Sequence, residues 1–159
     1  MQINTEQIEY MPIAPNRDRM EPFLLDDFSR MVFDTYAEFY PHHGYDPPWI
    51  GYFALHDGVV VGVGGYKGKP IHGQVEIAYG TVPAFEGHGI SSHTCGYLTR
   101  QALMHDPDLR VIARTLTAEN ASTRILRKNG FVYVGVVEDP EDGKVWEWEY
   151  RSESEKARK

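Results

Sequence analysis

Cysteine is almost absent. Only Cys95 occurs in 159 residues, which excludes an intrachain disulfide and a cysteine-based zinc site and points to a reducing, cytoplasmic setting. Long apolar runs are missing too: nothing approaches the roughly 18 residues of a membrane span. The polar start from Met1 to Glu9 offers no basic, apolar leader, so neither export nor a membrane partner is expected. Basic charge is in short supply, with 16 Lys+Arg against 23 Asp+Glu and a net charge of −7. That balance argues against nucleic acid as a partner and for a basic or amine-bearing one. No internal repeat or low-complexity linker divides the chain. Residues 1–151 are therefore expected as one domain and 152–159 as a charged, disordered tail. What is present is apolar and aromatic weight, 42% and 13% of residues, enough for a core without cross-links.

Periodicity predicts the elements. Ile8 to Ile13 reads as an edge strand, and apolar spacings of three and four predict a helix from Glu21 to Tyr40. Pro41 to Pro48 is expected to be a loop, because three prolines and a glycine interrupt it. Trp49 to Leu55 and Val59 to Tyr66 read as strands joined by an Asp57-Gly58 hairpin turn. A third strand, Gln74 to Val82, completes an antiparallel meander. Gly87 to His105 reads as a loop entering a helix, with Ile90, Thr94, Leu98 and Ala102 four apart. Leu109 to Leu116 is a β-branched strand, Asn120 to Asn129 a short helix stopped by Gly130, and Phe131 to Val137 and Val145 to Tyr150 are the last strands. The strand, helix, strand step around the Gly87 helix implies one parallel crossover. The fold class is α/β, with a mixed, mostly antiparallel sheet of six to seven strands and helices on both faces.

The segment Val82-Pro83-Ala84-Phe85-Glu86-Gly87-His88-Gly89-Ile90-Ser91 places two glycines between a strand end and a helix start. Backbone N–H groups and the positive end of the helix can meet an anion there. A tight turn with no ligand is the alternative reading. Downstream stands Thr117-Ala118-Glu119-Asn120-Ala121-Ser122-Thr123-Arg124-Ile125-Leu126-Arg127-Lys128-Asn129-Gly130-Phe131. Together the two segments resemble the GNAT superfamily, the Gcn5-related N-acetyltransferases, and within it the ribosomal-protein N-terminal acetyltransferase branch. The resemblance covers about Trp49 to Tyr150, with Met1 to Pro48 matching only in element order.

The resemblance implies a GNAT-like acyl-CoA N-acyltransferase fold, with acetyl-CoA as cosubstrate and an amine-bearing acceptor. It places the CoA pyrophosphate on the turn of Gly87, His88, Gly89, Ile90 and Ser91, with Val82 at the strand end. Glu86 departs from the family pattern, standing where a basic or amide side chain often helps the pyrophosphate. Ser91 replaces a small apolar residue. A general base is implied at a position like that of Glu76, and the strand runs roughly 20 Å from there to Val82, similar to the reach of an extended pantetheine arm. Leu126 stands where many members carry a proton-donating Tyr, and Ser122 matches the Ser that the resembled branch is thought to use. Its alternative role is a helix N-terminal cap. Asn120 is read either as a cap or as a partner of the pantetheine amides. An irregularity in the Gln74 to Val82 strand is expected to supply an N–H for the oxyanion.

His42, His43, Tyr45 and Trp49 lie in or beside the loop that borders the acceptor pocket in the resembled family, or else fold onto the core as surface aromatics. No metal is expected: adjacent His42 and His43 lack further ligands, and His88 and His93 are five apart. Cys95 reads as core, and Trp146 and Trp148 as core or interface, which leaves a homodimer open. The function implied is an acetyl-CoA-dependent N-acetyltransferase acting on a primary amine of a small molecule, amino acid or protein N-terminus. The alternative is a non-catalytic CoA-binding or sensing module.

Overall fold

The computed structural model describes residues 2–157. Seven strands form one sheet in the order β1-β2-β3-β4-β5-β7-β6. The strands are β1 (Glu9–Pro12), β2 (Gly51–His56), β3 (Val59–Tyr66), β4 (Gln74–Thr81), β5 (Arg110–Thr115), β6 (Phe131–Asp139) and β7 (Gly143–Tyr150). Every neighbouring pair is antiparallel except β4 with β5, which are parallel. The edge strand, the meander and the single crossover all stand as expected from the sequence. The tight turn is chemically explicit: Asp57 and Gly58 both have positive φ, 49° and 75°, which is what a two-residue hairpin between twisted strands requires.

The helices are α1 (Arg17–Met20), α2 (Asp27–His43), α3 (Ile90–His105), α4 (Ala121–Lys128) and α5 (Glu153–Ala157). α5 lies within the stretch expected to be a disordered tail. α3 packs on β3 and β4, and α4 packs on α3 and β6. In α3 the residues four apart, Ile90, Thr94, Leu98 and Ala102, are all buried. α3 can come close because β3 offers glycine beneath it: a Cβ on Gly64 would stand 2.3 Å from Thr94 Cγ2. α2 covers the other face of β2 and β3, with Val32 and Phe33 clustered on Phe53, Val60 and Val82.

Two boundaries differ from the sequence reading. The helix expected over Glu21 to Tyr40 starts only at Asp27, where the Asp26 side chain accepts from Ser29 N at 2.6 Å. It then runs through Pro41 to His43, although Pro41 to Pro48 was expected to be all loop. A proline has a helical φ and withholds one N–H, so the last turn tolerates it at the loss of one ladder bond. The stop is Gly44, at φ 89°, whose N–H closes on Tyr40 O at 2.7 Å.

Candidate active site

The parallel pairing between β4 and β5 is short. It joins Gln74 to Arg110, Val75 to Val111 and Glu76 to Ile112, and then ends. Beyond Glu76 the strands part into a wedge. On its other edge β4 stays in unbroken register with β3, from Tyr66 opposite Ile77 to Gly62 opposite Thr81. The irregularity expected in this strand is therefore not there, and an N–H for the oxyanion has to come from the regular strand. Lys67 N donates to Glu76 O at 2.9 Å and Val82 N to Val61 O at 2.9 Å, so even-numbered residues of β4 spend their amides on β3. Alternation then turns the N–H groups of Ile77, Tyr79 and Thr81 toward β5. Ile77 N–H closes the last step of the pairing at Glu76 and Ile112, and past it the Tyr79 and Thr81 amides have no strand to pair with, so an extended amide chain or an oxyanion can take them.

One mouth of the wedge opens into a cleft of 510 Å³ lined by Thr81, Gly87, Gly89, Ser91, Ser122 and Arg124, among others. Gly87 and Gly89 have φ of 86° and 78°, a left-handed geometry that points successive amides one way and that side-chain-bearing residues seldom adopt. Gly89 is the N-cap of α3 and supplies no side-chain capping bond. The first N–H groups of a 16-residue helix are thus free for an anion. Ser91 Oγ is already engaged with Thr81 Oγ1 at 2.6 Å, tying the helix start to the end of β4. Arg124 and Lys128 of α4 face the same cleft and balance Glu86, which also lines it. Val82 and His88 are not in the cleft: Val82 is buried among α2 and β3 residues, and exposed His88 faces a shoulder shared with Thr5, His93 and Arg100.

Inside the wedge a small cavity of 100 Å³ gathers Lys67, Glu76, Tyr79, Arg114 and Ser122. A second cavity of 260 Å³ continues outward past Lys67, Arg114, Asn120 and Asp142. Ser122 lines the cleft and both cavities, so the two sequence-predicted residues Glu76 and Ser122 do meet in one place. Their surroundings differ. The Glu76 carboxylate, 15% exposed, pairs with Lys67 Nζ at 3.1 Å and lies 3.9 Å from Arg114 Nη1. Arg114 is itself gripped by Asp139 at 3.1 Å and Glu147 at 3.2 Å. Partial burial works against its charge, but Asp139, Glu76 and Glu147 outweigh that and push its pKa up.

Ser122 has no hydrogen-bond partner among the described residues, and it is not the cap. That role belongs to Asn120, whose side chain accepts from Thr123 N at 3.1 Å while Thr123 Oγ1 accepts from Asn120 N at 3.0 Å. The reading of Ser122 as an N-cap is therefore corrected: it sits in the first turn with its hydroxyl free. Tyr79, which the sequence did not single out, lines both the cleft and the inner cavity. Burial pushes its phenol pKa up, so it stays protonated. Its signal was its place two residues before the end of the strand that feeds the glycine turn.

None of the four acceptor-side candidates lines the cleft or the two wedge cavities, but His43 packs beside the turn that follows Lys67, 3.9 Å from where a Cβ on Gly68 would stand. His42 and His43 end α2, with His43 stacked on Phe39 at 4.0 Å. Tyr45 packs on Tyr40, and Trp49 meets Tyr66 and His105 at the far end of α3. Cys95 is fully buried in the core, and burial pushes its thiol pKa up to about 12. Trp148 is core, its indole N–H on Thr115 Oγ1. No cluster of three or more metal-ligating side chains is placed to hold an ion among the described residues, and no helix among them is long and apolar enough to cross a membrane.

A family model of the acetyltransferase (GNAT) domain matches residues 3–132. The chain belongs to the GNAT acetyltransferase family. As a GNAT enzyme it is an acetyl-CoA-dependent N-acetyltransferase, acting on an amine-bearing acceptor. Solved structures agree in fold. RimL, a ribosomal-protein α-N-acetyltransferase solved with coenzyme A, is 17% identical with a TM-score of 0.63, over 90% of this chain and 93% of that one. A chimera of the spermidine N-acetyltransferase SpeG from Vibrio cholerae and hSSAT is 14% identical at a TM-score of 0.68, over 96% and 99%. An IAA acetyltransferase from Bacillus cereus is 16% identical at 0.60, over 90% and 97%. No curated protein matches the sequence.

Proposed function

We propose that this GNAT enzyme works through the β4–β5 wedge, with acetyl-CoA entering from the glycine-turn cleft and the acceptor amine from the opposite mouth. The observation that carries the reading is the early end of β4–β5 pairing at Glu76 and Ile112, which joins the two mouths at Ser122. The residues present fit the cosubstrate: free amides at Gly87 to Ser91 for pyrophosphate, Arg124 and Lys128 for further phosphate charge, and unpaired β4 amides for an extended arm. Acetyl-CoA supplies the activated thioester.

The chain's own groups do the rest. The Tyr79 N–H is turned toward the wedge, where it can stabilise an oxyanion. Glu76 draws the acceptor ammonium in and takes its proton, directly or through water. Ser122 gives a proton to the departing thiolate, with Tyr79 the second protonated hydroxyl at the same place. Asn120 holds the start of α4 and so fixes Ser122, and its NH₂ remains free to meet the arm. His88 and Val82 act only through the turn's backbone. His43, beside the turn after Lys67, and with it His42, Tyr45 and Trp49 would meet the part of the acceptor that extends past the outer mouth. Within this reading residues 1–151 form the single acetyltransferase domain with 152–159 as its tail, the enzyme is cytoplasmic, the acceptor is a primary amine, and a homodimer stays compatible with it.

The test is release of free CoA thiol from acetyl-CoA in the presence of an amine panel that includes polyamines, amino acids and N-terminal peptides. Thiol release that depends on an amine, and that is lost in Gly89→Val, is the expected result. Amine-dependent release that survives Gly89→Val would place the cofactor elsewhere.

A further inference from the structure

The acceptor side of the wedge already holds an amine. Lys67 follows the last residue of β3 directly and stands opposite Glu76, its backbone N–H on Glu76 O. The two side chains meet on the same face, with Nζ 3.1 Å from Glu76 Oε2. Among the described residues Lys67 is the one lysine that lines both wedge cavities. Lys67 shares the walls of the inner cavity with the candidate base and the Ser122 hydroxyl. The Lys67 side chain is 44% exposed against 15% for Glu76, so the ammonium is the solvent-accessible partner of the pair. Arg114, anchored by Asp139 and Glu147, holds the carboxylate from the other side.

We propose that Lys67 is a built-in acceptor, and that in the absence of an external amine the enzyme acetylates the Lys67 ε-amine in cis. The inference rests on the wedge reading above, with Glu76 as base. In the step, the Lys67 ammonium gives a proton to the Glu76 carboxylate, and the freed nitrogen lone pair attacks the thioester carbonyl of acetyl-CoA. The new C–N bond forms and the C–S bond breaks, the second proton of the attacking nitrogen passes through Ser122 or water to the departing thiolate to give CoA thiol, and Glu76 releases the first proton to solvent. The product amide has no charge, so Glu76 is left with Arg114 as its cationic neighbour, and an external amine must displace Lys67 before it can react.

The experiment incubates the full-length protein with acetyl-CoA and no amine, follows intact mass, and locates the label by peptide mapping. Holding an amine beside a thioester raises its rate far above that of the same group free in solution. Lys67 is therefore expected to be modified at least about tenfold faster than exposed Lys69 and Lys144, at a rate independent of protein concentration and slowed by a good acceptor amine. Glu76→Gln should slow it, and Lys67→Arg, which keeps a cation opposite Glu76, should show no such fast label. Equal labelling of Lys67, Lys69 and Lys144 would overturn the inference as background chemistry, and a rate that rises with protein concentration would overturn transfer in cis. Amine-dependent thiol release with Lys67 unmodified sinks this inference alone. Acetyl-CoA binding with neither thiol release from any amine nor label on Lys67 sinks the wedge reading with it.

Discussion

Two neighbouring substitutions at the start of α4 separate folding from chemistry. Asn120 caps α4 and completes a reciprocal box with Thr123, so Asn120→Ala removes the acceptor for Thr123 N and is expected to cost about 1 kcal/mol. For a domain of this size that is a fall in Tm of roughly 2–4 °C. Ser122 is two residues along the same turn, makes no hydrogen bond among the described residues, and lines the cleft and both wedge cavities. Ser122→Ala removes nothing the fold uses, and alanine is the better helix former by a few tenths of a kcal/mol. Its Tm should stay level or rise slightly. If Ser122 protonates the thiolate, kcat should fall on the order of 10²-fold or more, the usual range for a positioned acid. The assay is thermal unfolding beside steady-state thiol release on both variants. A Ser122→Ala enzyme with kcat within about twofold of wild type would remove Ser122 from the chemistry and transfer the role to Tyr79, whereas a Tm loss in Ser122→Ala would contradict the capping geometry itself.

Other outcomes follow from the same geometry. Gly89→Val forces a β-branched residue to φ near 78° and crowds the free amides, so acetyl-CoA affinity by calorimetry should collapse; unchanged affinity in the folded variant would refute the phosphate placement. Glu76→Gln keeps shape and loses basicity, so kcat/KM should drop about 10²- to 10⁴-fold with acetyl-CoA affinity near wild type; a rate within about twofold of wild type would remove Glu76 as the base. The Asp139 carboxyl is held below its ordinary range by the Glu141 N–H, then the Asp142 N–H and Arg114, against the opposing cost of burial. A folded value below the unfolded one of about 3.9 means stability that is present above that pH and lost as pH falls through the folded value. The denaturation midpoint of wild type should therefore fall more steeply below about pH 4 than that of Asp139→Asn; parallel curves would show that the Asp139 contacts contribute nothing.

What the sequence could express was what short segments decide alone. Asp57-Gly58 forces its hairpin because two positive φ angles are needed in succession, and the Gly87 to Ser91 turn is readable because glycine spacing and helix onset sit side by side. Pro41 misled because a proline vetoes a helix interior but not a last turn, and only Gly44 three positions later with its bond to Tyr40 fixes the end. Ser122 and Asn120 are two residues apart, and either could cap a helix by type; the choice is made by Thr123, whose hydroxyl closes the box only on Asn120. The Lys67, Glu76, Arg114, Asp139 and Glu147 cluster was out of reach, since its members come from the turn after β3 and from β4, β5, β6 and β7 and are neighbours only after the sheet has closed.

The same strand explains why cofactor and acceptor do not compete. In β4 the side chains of Val75, Ile77 and Tyr79 pack toward α3, while Gly80 faces α2 residues, so Glu76 and Ala78 share that opposite face. The backbone amides sort along the other axis: even positions are consumed by β3 and odd ones face the gap left by β5. A cofactor arm lying in the gap therefore reads odd-numbered amides, and an amine arriving at the open face of β4 meets an even-numbered carboxylate. The two substrates approach one point from different sides because a β-strand repeats every two residues. The unbroken β3 register is what keeps those two sets in phase from Glu76 to the glycine turn. The regular strand is thus the arrangement under which a base on one face and a pyrophosphate turn at the end can serve the same thioester.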